Sequence, residues 1–93
     1  MPKYVIEREI PGAGKMSATD LTKASDASRA ALRELGTKIQ WVHSYVTGDK
    51  IYCLYISPNE HLIREHSRLS GIPATRIERV FNVIDPTTGE ASD

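Results

Sequence analysis

The chain has no net charge to spend: twelve Lys and Arg balance twelve Asp and Glu over 93 residues. That balance argues against a nucleic-acid or anionic-membrane partner, since both are held by an excess of basic side chains. A single cysteine, Cys53, excludes an internal disulfide, and a reducing cytoplasm is the expected compartment. The N-terminus lacks the apolar run of a signal peptide, and no segment is long enough to span a bilayer. Repeats, low-complexity stretches and internal linkers are absent, so one domain over residues 1–86 and a solvated tail over 87–93 are expected.

Local signals then divide the chain into elements. Residues 4–10, "YVIEREI", read as a strand that "PGAGK" interrupts. Residues 17–36 read as a helix, with Ser17 and Asp20 as a capping box, an apolar stripe through Leu21, Ala24, Ser28, Ala31, Leu32 and Leu35, and Gly36 as the stop. "KIQWVHSYVT" and "KIYCLYI" are strands joined by a tight hairpin at Gly48-Asp49. A second helix runs from Ser57 as cap, with Glu60 as box partner, to Gly71, and residues 75–84 form the last strand. The order β-α-β-β-α-β, with right-handed crossovers, predicts an α+β ferredoxin-like sandwich: a four-stranded antiparallel sheet with both helices on one face.

The hairpin sets a register. If Thr47 pairs with Lys50, then His43 pairs with Leu54, and alternation puts Val42, Ser44, Val46, Ile51, Cys53 and Tyr55 under the helices. Trp41, His43, Tyr45, Tyr52, Leu54 and Ile56 fall on the open face. That patch is too apolar to lie bare on a monomer, so a homodimer through Trp41, Tyr45, Tyr52 and Leu54 is expected.

Two of the three histidines carry chemistry candidates. His43 stands mid-strand between Trp41 and Tyr45, where it could ligate a metal, serve as a general base, or simply hydrogen-bond across an interface. His66 falls among Leu62, Ile63 and Leu69 in the apolar stripe of its helix, so it must be hydrogen-bonded or ligated. His61 projects to solvent. Glu7 or Glu9 on the first strand could add a carboxylate. No HxH, HExxH or CxxC spacing occurs, and "PGAGK" lacks the length of a phosphate loop.

The segments "MPKYVIEREIPG", "WVHSYVTGDKIYCLYI" and "IREHSRLSGIPATRIERV" resemble a family of small bacterial proteins described as nickel-binding or nickel-responsive. The resemblance implies a ferredoxin-like dimer and a divalent-metal site. It implies His43 as the strand histidine, Glu7 as the acidic position of the first strand, and His66 within "REH", a triplet found in part of the family. The register places His43 and His66 on opposite faces, so two separate sites are expected unless a bulge interrupts the second strand. The function expected is a non-catalytic nickel-binding homodimer. The alternative is a cofactor-free monooxygenase or isomerase working on the open face, and a third reading is an interaction module with no site.

Overall fold

Ser17 opens the first helix as a capping box. Its Oγ accepts from the Asp20 N–H at 3.1 Å, and the Asp20 carboxylate accepts from the Ser17 N–H at 3.3 Å. The computed structural model describes residues 1–91. Its elements are β1 (Lys3–Glu9), a 3₁₀ turn (Ala13–Lys15), α1 (Ala18–Leu35), β2 (Gln40–Val46), β3 (Lys50–Ile56), α2 (Glu60–Ser70), β4 (Arg76–Val80) and a final turn α3 (Thr88–Ala91). The tail expected over 87–93 thus carries a helical turn, and its last two residues lie outside the described ones. Among the described residues no helix is long and apolar enough to cross a membrane.

The strands form one antiparallel sheet in the order β2-β3-β1-β4, the expected α+β arrangement with α1 and α2 packed together on one side. Tyr4, Ile6, Ile51, Cys53 and Tyr55 face the helices and meet Ile39 and Ile63 in the core. Ile6, on a central strand, is fully buried.

"PGAGK" has a structural explanation. Its backbone is tied to the hairpin: Ile10 N–H donates to Asp49 O, Gly12 N–H to Asp49 Oδ1 and Gly14 N–H to Gly48 O, all at 2.9–3.0 Å. A Cβ on Gly14 would stand 3.0 Å from Thr47 O, so any larger residue would push the hairpin backbone back by a few tenths of an ångström. The N–H groups a phosphate would need are already used.

Two boundaries differ from the expectation. The cap of α2 is Asn59, whose Oδ1 accepts from the Leu62 N–H at 3.0 Å. Ser57 is instead buried at the end of β3, where its hydroxyl donates to Asn59 O. The last strand stops at Val80 rather than at 84. Val80 pairs with Lys3, and the next residue of β1's edge is Pro2, which has no N–H to give and whose carbonyl already accepts from Ser57. Phe81, Val83 and Ile84 are left 70–79% exposed.

Candidate functional site

The hairpin register is the expected one from Val46–Ile51 to His43–Leu54, and then a bulge intervenes between Trp41 and His43. The extra residue reverses the parity of everything before it. Trp41, expected on the open face, therefore lies on the helix side, paired with Tyr55, stacked on its ring at 6.5 Å and donating from Nε1 to Ser44 Oγ at 2.9 Å. Val42, expected inside, is exposed. The open face keeps His43, Tyr45, Tyr52 and Leu54.

His43 is exposed there. Its Nε2 is 3.1 Å from the Tyr45 hydroxyl and the two rings meet edge to face at 4.9 Å. Glu7 shares the face, but it pairs with Tyr52 of β3, one row along from the His43–Leu54 row. β3 stands between the two residues, so their backbones are roughly 10 Å apart across the sheet before the offset is added. Glu7 is also ion-paired with Lys50 at 3.6 Å.

His66 lies on the other side of the sheet and is 1% exposed, as the phase of its helix requires. Its Nε2 is 3.0 Å from Ser28 Oγ of α1 and 3.4 Å from the Tyr55 hydroxyl of β3, while Nδ1 is buried without a partner. The imidazole thus joins three elements. Burial, and secondarily the positive charge of Arg8, hold its pKa down at about 4 despite the opposing bond to Ser28. Burial likewise raises the Tyr55 phenol. Ser28 and a neutral His66 resemble a nucleophile and its base, but no acid orients Nδ1, so the pair lacks the third member that such a site needs.

His43, Glu7 and His66 are therefore three separate positions. Among the described residues no group of three or more His, Cys, Asp or Glu side chains is placed to hold a metal ion. The described donors of this chain do not make up a complete nickel site.

The structure also brings forward Arg8. Its residue shares strand parity with Tyr4 and Ile6, which is the signal by which "YVIERE" shows an arginine aimed inward. The side chain is 1% exposed. Nη1 donates to Ser67 Oγ, Ile72 O and Pro73 O at 2.9–3.2 Å, and Nε donates to Cys53 Sγ at 3.3 Å. That sulfur also accepts from Ser44 Oγ at 2.9 Å. None of the ion pairs among the described residues includes Arg8, and its Nη2 is buried with no partner. Arg8 lines a cavity of about 650 Å³ between α1 and the sheet.

A family model described as nickel responsive protein SCO4226-like matches residues 4–80. No curated protein matches the chain. The crystal structure of SCO4226 from Streptomyces coelicolor A3(2) superposes with a TM-score of 0.74, covering 88% of this chain and 99% of that one at 16% identity, a likeness of fold.

Proposed function

We propose that this chain, which belongs to the SCO4226-like family of nickel responsive proteins, is a non-catalytic homodimer that binds nickel weakly at His43. The observation that carries the reading is the exposed imidazole of His43 beside Tyr45, Tyr52 and Leu54 on the open sheet face, in a chain of this family. Imidazole nitrogen is a good ligand for nickel, whereas one ligand per protomer leaves most of the coordination sphere to water and keeps the affinity low. His66 is shut under α2 and Glu7 is occupied by Lys50, so neither joins the proposed contact.

The dimer rests on the same face. Tyr45 is 60% exposed, and Tyr52 and Leu54 extend the patch beside it. Pairing two such faces about a two-fold axis covers both and brings a second His43 to the shared surface. Trp41, being on the helix side, is not part of this interface.

Light scattering should give twice the 10.3 kDa chain mass. Calorimetry should show nickel binding that His43→Ala weakens at least tenfold without changing the mass. Tyr45→Glu should halve the mass, because a carboxylate buried at the interface without a partner costs several kcal/mol. Equal nickel binding by wild type and His43→Ala would sink the metal assignment, and a monomer at micromolar concentration would sink the interface.

A further inference from the structure

Among the described residues the charge of Arg8 has no ionic partner. A guanidinium keeps its proton in any protein, so the cation is present at all accessible pH values. Taking it out of water costs several kcal/mol unless a negative group and a full set of acceptors compensate. Here the acceptors are one hydroxyl, two backbone carbonyls and the Cys53 sulfur, with no carboxylate among them. The only acidic residue bordering the cavity is Glu9, which is exposed and makes no ion pair with Arg8 among the described residues. One N–H-bearing nitrogen, Nη2, is buried and unused.

The space beside it is suited to an apolar body. Met16, Leu21, Ala24, Trp41 and Ile72 line the cavity, and about 650 Å³ falls within the range of small-molecule sites. The polar lining residues on the sheet are Arg8, Glu9, Ser44, Cys53 and Tyr55, with Ser25 and Ser28 opposite on α1. An apolar chamber with one uncompensated arginine selects a molecule with an apolar body and a single carboxylate. The carboxylate would supply the missing charge and a further acceptor for the Arg8 guanidinium.

We infer that the cavity between α1 and the sheet is a binding site for a small monocarboxylic acid with an apolar body, its carboxylate held by Arg8. The site is independent of His43 and of any metal, since the two lie on opposite faces of the sheet.

Decanoate and decanol, matched in length and differing in charge, are the probes. Trp41 is the only tryptophan of the chain and lines the cavity, so its fluorescence reports occupancy directly. Decanoate should bind at least tenfold more tightly than decanol. Arg8→Gln should bring decanoate down to the level of decanol. Arg8 also tethers residues 72 and 73, so a variant that keeps Arg8 guards against loss of the fold. Ala24→Phe narrows the chamber from α1, and should weaken both probes at least tenfold while the circular dichroism spectrum stays native. The inference is overturned if decanoate and decanol bind equally. It is overturned too if neither binds, or if Ala24→Phe binds decanoate as wild type does.

Discussion

Replacing Ile6 by alanine should remove about 4 kcal/mol of stability, the cost of deleting a large aliphatic side chain from a site that cannot collapse. Ile6 has no solvent exposure, lies on a central strand and is flanked across the sheet by Cys53 on β3 and Ile77 on β4. Backbone hydrogen bonds on both sides hold the position open, so the lost methylenes become a cavity rather than a repacked core. A domain of this size has roughly 5–15 kcal/mol in all. The melting temperature should therefore fall by roughly 15–30 °C, at several degrees for each kcal/mol. Ile84→Ala is the matched control: the same atoms are removed from a side chain 79% exposed, and the change should stay within about 0.5 kcal/mol. Differential scanning calorimetry of the two variants reads both numbers. A loss at Ile6 no larger than at Ile84 would mean that β1 is not where the core is closed.

Acidification should act through His66. The folded imidazole titrates near 4, against 6.5 for the exposed residue, because burial and then Arg8 oppose its protonation. Between those two values the unfolded chain holds a proton that the folded chain refuses, so stability rises with pH across the window. The contribution is fully present above pH 6.5, falls by about 1.4 kcal/mol per pH unit below it, and levels out below pH 4 after a total loss of about 3 kcal/mol. His66→Gln can still hydrogen-bond Ser28 but does not titrate. Urea midpoints measured from pH 7 to pH 4 should diverge, with wild type losing stability faster than the variant. The carboxyls of Glu65 and Asp85, lowered by bonds to Arg68 and Thr87, are common to both proteins and cancel in the difference. Parallel curves would show that the imidazole accepts its proton in place, with solvent reaching it.

What could be read from residues alone was what residues decide locally. The Ser17–Asp20 box, the Gly48-Asp49 hairpin and the inward phase of His66 each follow from a few neighbouring side chains, and each stands in the structure. Ser57 and Asn59 are both good caps two positions apart, and only the end of β3, which claims Ser57, decides between them. The end of β4 depends on a proline at the far end of the chain. The displacement of Trp41 depends on a bulge that no turn residue announces, because Val42 is as good a strand former as its neighbours. Arg8 was legible as parity on β1, but its isolation was not: an inward arginine ordinarily meets a carboxylate, and only the assembled fold shows that none of the described residues supplies one.

In genetic terms the bulge is a spare codon. Trp41 pairs with Tyr55 and His43 with Leu54, so the two partners are consecutive on β3 while Val42 between them on β2 has none. An in-frame deletion of residue 42 would leave a strand of unbroken alternation in which Trp41 still faces the helices and His43 still faces outward. Deletion of Ser44 instead takes away the hydroxyl that joins Trp41 to Cys53 and shifts every pairing on one side of it. Length variation in this strand is thus tolerable at one position and ruinous two positions later.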